Sequence, residues 1–462
     1  MDHKMPATNG LWERNMTSMI TEARPVQFSD ELPSETDVVV IGGGIAGITT
    51  AYFLADRGIN VVVCEKGRVA AEQSSRNWGW VRQQRRDYAE LPIAMEANRI
   101  WRGLAKETGD ADLTFTESGC LVVTDSEAKF KGLEDWFEIA KQHQLDTRLL
   151  SAADIKSQFP DIKGDWVGGM ITPSDGRAEP FVAVPALARA AQRKGVVIAE
   201  SCAVRTIDTA GGRVAGVVTE KGRIGAAQVV LAGGVWSTYF AANTGVDLPQ
   251  LAVRSTVLRT EPAPDTYVPN TYTPDLALRR RTDGGYTTTT AGFSEHYLSP
   301  GSFRYLTKFA KLLRVSAREV RLLPAAPKGF PGSWGMKRRW SGDQVSPFEN
   351  MRIVNPEPSP VVIRRTTERL GKRFPVLDGI GIAESWAGWI DVTPDAVPVL
   401  GEVDTLPGLF IATGLSGHGF GLGPGVGRVM ADLVSGRSPG HDLTRFRTTR
   451  FADGSPIVPG PY

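Results

Sequence analysis

The stretch Asp37 to Lys66, DVVVIGGGIAGITTAYFLADRGINVVVCEK, limits what this chain can fold into more than any other. It reads as strand, glycine turn, helix and second strand. Val38 to Ile41 is a β-branched run, as expected of a strand buried on both faces. Ile48 to Leu54 has helical apolar spacing, Arg57-Gly58 ends that helix, and Val61 to Val63 makes the next strand. At the turn, Gly42, Gly44 and Gly47 spell G-x-G-x-x-G. Gly42 permits the tight turn. Gly44 lets the backbone ahead of Ile45 and Ala46 approach a pyrophosphate, and Gly47 lets the helix pack closely on the strand. The helix N-terminus then offers unpaired amides to phosphate. Glu65 ends the second strand, with Lys66 beside it. A carboxylate there accepts hydrogen bonds from ribose hydroxyls and argues against the 2′-phosphate of NADP. On this motif alone FAD and NAD both remain open.

The rest of the chain must build around that unit. With 462 residues, two domains are expected. The 53 basic and 51 acidic residues leave a net charge of only +2, which argues against wholesale binding of nucleic acid. Cys64, Cys120 and Cys202 have neither zinc nor disulfide spacing, which points to no metal and to a reducing, cytoplasmic setting. Val38 to Ala55 is uncharged, but its glycines and its change of period mark a buried strand and helix, not a transmembrane segment.

Further along, helices are expected over Tyr88–Thr108, Leu133–Gln142, Val182–Lys194 and Leu306–Leu323, and strands over Cys120–Thr124 and Val196–Ala199. From Pro249 to Thr290, strand-like runs alternate with turns, which suggests a mostly antiparallel sheet. The class is thus α/β with an α+β second part: a Rossmann-like domain on a parallel sheet, joined to a substrate domain on an antiparallel one. The expected division is an extension over 1–36 with Trp12, a dinucleotide domain over 37–90, 150–248 and 376–440, a substrate domain over 91–149 and 249–375, and a tail over 441–462. Residues 301–375 hold 16 basic and 5 acidic residues, read either as a solvated face or as a docking surface for an anionic partner or membrane headgroups.

Six motifs in order carry a resemblance. They are VVVIGGGIAG with Glu65, SSRNWGW, DGRAEPFVAVPALARAA, VVLAGGVWS, WAGWIDVTPDAVPVLG and GLSGHGFGLGPGVGRVMADLVSG. Together they resemble the FAD-dependent oxidoreductases of the D-amino acid oxidase, glycine oxidase and sarcosine oxidase superfamily, over about Asp37 to Gly436. The form WAG-x-x-D-x-T and the extension look most like the γ-glutamylputrescine oxidoreductase branch. The resemblance implies FAD, and oxidation of an amine C–N bond to an imine that water hydrolyses. Oxygen, or an electron carrier such as a quinone, is the implied acceptor.

It also implies roles for residues. Ser74 and Ser75 are candidates for phosphate and ribityl contacts, Arg76 and Asn77 for hydrogen bonds near the flavin ring, and Trp78, Gly79 and Trp80 for packing beside it. Val204, Ala232, Gly233, Trp236 and Gly388 are further cofactor candidates. So are Gly414, Ser416, Gly417, His418, Gly419, Phe420 and Gly421, ahead of a helix expected to begin near Pro424. Such a helix points its positive end at the flavin, where reduction gathers negative charge. Tyr286 is a candidate for lining the substrate face.

The chain departs from the family at one place. Where the amino acid oxidase branches read G-L-R-P and grip the substrate carboxylate with the arginine, this chain reads Gly388-Trp389-Ile390-Asp391. An amine or polyamine derivative is therefore expected, with Asp391 binding the ammonium and Trp386 and Trp389 lining an aromatic slot. The alternatives are an amino acid or N-alkyl amino acid gripped by a relocated arginine such as Arg82 or Arg281, and a non-catalytic flavoprotein assembly factor. Arg85 and Arg86 are open between surface salt bridges and the missing carboxylate grip. No Cys follows Cys202, so the cysteine linkage of the sarcosine oxidase branch is absent and the FAD is expected to be non-covalent.

Overall fold

The computed structural model describes residues 19–266 and 269–460. Trp12 of the expected extension lies outside them. Two sheets dominate.

The first has six strands in the order Val399–Glu402, Leu409–Thr413, Gln228–Leu231, Val38–Ile41, Val61–Cys64 and Val197–Ala199. All neighbours are parallel except Val399–Glu402, which runs antiparallel to Leu409–Thr413. The valine runs sit here because β-branched side chains fill both faces: every residue of Val38–Ile41 and Val61–Cys64 is buried. Helix Ile45–Ala55 covers one face and packs against the closing helix Gly419–Val434. That contact is close because of glycine. A Cβ at Gly423 would overlap Ile45, and one at Gly427 would overlap Thr49. The closing helix starts at Gly419, not near Pro424 as expected, and Pro424 lies inside it. Residues 28–36 lie along this unit: Ser29 bridges Ala199, and the Ile198 amide donates to Asp30 at 2.9 Å.

The second sheet has ten strands, mostly antiparallel. Its longest ladder joins Leu251–Thr260 to Ile382–Val392, with Leu251 opposite Val392 and Val257 opposite Trp386. Strands Arg148–Ser151 and Gly168–Thr172 also belong here. Sheet membership therefore differs from the expected division at 150 and at 376. Gly168–Thr172 is as fully buried as the valine strands of the first sheet, so burial does not tell the two apart.

Local boundaries shift for physical reasons. The expected Tyr88–Thr108 helix begins at Leu91, and the one at Leu133 begins at Glu127, where the Ser126 side chain accepts from Lys129 N. The apolar run after Leu306 is helical only to Val315. Val320–Leu323 is an edge strand parallel to Ser294–Tyr297.

Candidate active site

A cleft spanning about 1200 Å³, part of it open to solvent, lies over the carboxyl ends of the six-stranded sheet. Its first wall is the glycine turn. Gly42 has φ 110°, and a Cβ there would lie 2.5 Å from the Ala232 carbonyl oxygen. A Cβ at Gly47 would overlap the Gly42 oxygen. Gly44 ends the strand-to-helix turn with only the Ser74 hydroxyl near its open face, at 3.1 Å. The Ser74 Oγ accepts from the Ile45 amide at 2.9 Å, so it holds the first turn of the helix. Ile45, Ala46, Val204, Ala232 and Gly233 line the same wall.

Glu65 reaches the cavity as expected. Its two oxygens accept from the amides of Gly43 and Gly67, each at 2.7 Å, and burial pushes its carboxyl up. Lys66 bonds Glu72 at 2.6 Å and stands 4.9 Å from the Trp236 ring centre. Trp236 Nε1 donates to the same Glu72 oxygen at 3.2 Å. Glu72 and Gln73, both cavity residues, were not foreseen; the only signal was their place just before Ser74.

Other candidates hold the loop, and of them Asn77 alone is among the cavity-lining residues. The Arg76 guanidinium is buried and donates to the carbonyls of Ala71 at 3.0 Å and Ala387 at 2.9 Å. Burial lowers it to about 10. Trp386 Nε1 returns the link by donating to the Arg76 carbonyl at 3.0 Å. Gly388 leaves room for the Gln73 side chain, whose Oε1 a Cβ would displace. Ser75 is buried in this short helical turn. Asn77 lines the cavity and bridges Ser74 O and the Gly79 amide. Trp78 and Trp80 pack edge to face at 5.4 Å, away from the cavity lining. Gly79 has φ 78°, and a Cβ there would lie 2.6 Å from the Ala178 oxygen.

Strand Ile382–Val392 separates the two tryptophans. Side chains alternate faces along a strand, and the cavity-lining residues are Trp389 and Asp391, not Trp386. Trp389 packs on Tyr297 and Phe330, and its buried Nε1 has no protein partner among the described residues. Asp391 does not offer a free carboxylate to an ammonium. Its Oδ2 accepts from Gly414 N at 2.7 Å, Thr413 Oγ1 at 3.2 Å and Leu415 N at 3.4 Å. Ser416 continues this clasp by donating its amide to the Asp391 carbonyl at 2.9 Å. Beyond it Gly417, Gly419 and Phe420 line the cavity, while Gly421 faces the backbone of Trp80 and Val81.

Tyr286 is not at this site. It is fully buried in the second sheet, and its hydroxyl donates to the Pro264 carbonyl at 3.0 Å. Arg281 is likewise engaged, with Asp283 at 2.9 Å. His418 sits at the start of the closing helix with Nδ1 3.0 Å from Glu90. Burial, then the nearby Arg86, lowers it to about 4, so the ring is neutral at neutral pH.

Around His418 lie Arg82, Arg85 and Arg86. Arg82 donates to Gln84 O at 3.1 Å. Arg86 is buried with Nη1 unpartnered among the described residues, and burial lowers it to about 9. Arg85 is half-buried at φ 58°, 5.9 Å from the Tyr272 ring centre, and also lowered by burial. Asp175 is one neighbouring carboxylate. It accepts from the amides of Gln83 and Gln84 and is pushed up to about 6 by burial. Glu90, beside Arg86, and Glu319, toward Arg85, are the other acids around these arginines.

The donor set and the glycine-opened turn fit FAD: room for a dinucleotide, amides at a helix start, and a carboxylate beside them. Comparison with known proteins agrees. The model of the FAD dependent oxidoreductase (DAO) family matches residues 37–433. The mitochondrial sarcosine dehydrogenase of Mus musculus is 26% identical over 96% of this chain and 47% of its own length. The formaldehyde-forming 4-methylaminobutanoate oxidase of Paenarthrobacter nicotinovorans is 26% identical over 92% of this chain and 46% of its own. The chain thus spans about half the length of these curated relatives. The solved L-amino acid deaminase from Proteus myxofaciens, in complex with anthranilate, is 33% identical with a TM-score of 0.88, covering 94% of this chain and 97% of that one. The cavity, the glycine turn with Glu65 and the match over 37–433 lead to one conclusion: the chain belongs to the FAD-dependent oxidoreductase (DAO) family.

Proposed function

We propose that the protein oxidises the C–N bond of an amine that carries a carboxylate, an amino acid or an N-alkyl amino acid. The observation that carries this reading is Arg86, buried with its Nη1 unpartnered among the described residues, beside the half-buried Arg82 and Arg85. A desolvated guanidinium without a carboxylate is costly, and a substrate carboxylate supplies the partner. The printed names of the relatives support the reaction class: they concern sarcosine, 4-methylaminobutanoate and L-amino acids.

When bound, FAD supplies the two-electron acceptor for hydride from the carbon next to nitrogen. The chain's own residues do the rest. Gly42, Gly44 and the amides of the first helical turn would hold the pyrophosphate, and Glu65 the ribose. The clasp of Asp391 on Gly414 and Leu415 fixes the approach of the closing helix, whose start is electropositive. Neutral His418 adds no charge to an already cationic site. An arginine grip on the carboxylate orients the amine end, which is the larger part of what a flavoenzyme of this kind must contribute.

The test is anaerobic bleaching of the flavin by α-amino acids, N-methyl amino acids and the matching decarboxylated amines. Bleaching by the acids and not by the amines is expected. The reverse order would overturn the reading. Reoxidation by oxygen and by a quinone then identifies the acceptor.

A further inference from the structure

Charge is unevenly spread along this chain. Between residues 301 and 342 there are ten Lys or Arg residues and a single acid, Glu319, although the whole chain carries a net charge of only +2. Several of the cations are tied down: Arg304 bonds Asp247, Arg321 faces Glu295, and Arg339 donates to the Asn243 carbonyl. Lys311, Arg314 and Arg318 are exposed and have no ion pair among the described residues.

The same segment also exposes apolar bulk. Phe303 is 60% exposed, Leu306 54%, Val315 68%, Leu322 55% and Trp334 56%, in a chain whose other large apolar side chains are mostly buried. The Phe303 and Trp334 rings contact each other at 6.0 Å, and Leu306 lies one helical turn on from Phe303. Helix Leu306–Val315 buries Phe309 and Leu312 inward, below Tyr305, and so presents Lys311 and Arg314 outward with Leu306 and Val315. The neighbouring strand Val320–Leu323 is an edge strand, with no further strand beyond it.

We propose that this face, the helix Leu306–Val315 with Phe303 and Trp334, docks on the surface of an anionic lipid bilayer. Exposed aromatic and aliphatic side chains among unpaired cations match the chemistry of a bilayer interface, where the rings enter the headgroup layer and the cations meet lipid phosphates. A nucleic acid would pair the cations but leave Leu306, Val315 and Leu322 in water. Among the described residues no helix is long and apolar enough to cross a membrane, so this contact is with the surface only.

The test uses the full FAD-loaded chain with vesicles of phosphatidylcholine alone and of phosphatidylcholine mixed with phosphatidylglycerol. Flotation with the anionic vesicles, weakened by salt, is expected. The triple variant Lys311→Glu, Arg314→Glu, Arg318→Glu should lower the partition by at least roughly 100-fold, at about fivefold for each cation lost. The double variant Phe303→Ser, Trp334→Ser should lower it independently of salt. Flavin absorbance reports that each variant is folded. Absence of flotation overturns the proposal, as does equal flotation with both vesicles, or unchanged flotation of the triple variant. Self-association of the wild type that the double variant abolishes, without vesicle binding, assigns the face to a second copy and also overturns it.

Discussion

The Oδ2 atom of Asp391 lies 2.7 Å from the amide nitrogen of Gly414, and this bond ties the last long strand of the ten-stranded sheet to the loop leaving the six-stranded one. Removing the acceptor leaves the buried amides of Gly414 and Leu415 unpaired, while the Thr413 hydroxyl keeps the Gly234 carbonyl. Asp391→Ala should therefore destabilise the fold by about 2–4 kcal/mol in urea unfolding, and Asp391→Asn, which keeps one acceptor oxygen, by less. Flavin should leave the Ala variant more readily. An Asp391→Ala protein as stable as wild type would show that the clasp is not structural.

The glycine turn makes a second, sharper prediction. A side chain at Gly42 must adopt φ 110° and sit 2.5 Å from the Ala232 oxygen. Backbone strain of this kind costs about 1–3 kcal/mol, so Gly42→Ala should bind flavin roughly 10- to 100-fold more weakly. The ratio of flavin to protein absorbance in the purified protein reads this directly.

Substitution of Arg85 tests the proposed carboxylate grip. Arg85 is half-buried, and its guanidinium approaches the Tyr272 ring. Arg85→Ala should lower kcat/KM for a carboxylate-bearing substrate by about 10- to 100-fold, the worth of one charged hydrogen bond. Turnover of a decarboxylated amine should not fall with it. An equal loss for both substrates would mean that Arg85 supports the loop and not the substrate.

His418 predicts a pH dependence. Its folded value of about 4 lies below the ordinary 6.5. Between those values the unfolded chain binds a proton that the folded chain does not. The stability tied to this residue is therefore intact above pH 6.5 and is lost as the pH falls toward 4. His418→Asn should remove that loss, a difference of up to roughly 3 kcal/mol between pH 7 and pH 4. Asp175, raised to about 6, works in the opposite direction and cancels when wild type and variant are compared. Urea unfolding of both proteins at the two pH values measures the difference.

Tyr286→Phe should leave kinetics unchanged. It should cost the bond to the Pro264 carbonyl, about 1 kcal/mol.

The glycine turn, Glu65 and the valine strands were legible in the sequence because their physics is local. A tight turn needs glycine, and a strand buried on both faces needs an unbroken apolar run. Trp386 and Trp389 were not separable, because which faces the cavity depends on the pairing of Ile382–Val392 with Leu251–Thr260, a partner over a hundred residues away. The same holds for Tyr286, whose strand was read correctly and whose facing was not. The start of the closing helix was hidden by its own glycines. Gly423 and Gly427 read as loop by propensity, yet they are there to admit Ile45 and Thr49. The arginines are visible as residues, but the unpartnered Nη1 of Arg86 is a property of the folded surroundings.

The six-stranded sheet has one more consequence, for the chain as it is made. Its central strand Val38–Ile41 lies beside Gln228–Leu231, which in turn needs Leu409–Thr413, and the Thr49 hydroxyl donates to the Gly423 carbonyl at 2.9 Å. The glycine turn thus emerges from the ribosome long before the strand and helix that complete its surroundings. Until residue 434 or so has emerged, one face of the first helix and one edge of the sheet stay open to other chains. Synthesis of this protein therefore asks for protection of an unfinished nucleotide site over most of its length, and truncations short of the closing helix should accumulate as aggregates and not as smaller folded domains.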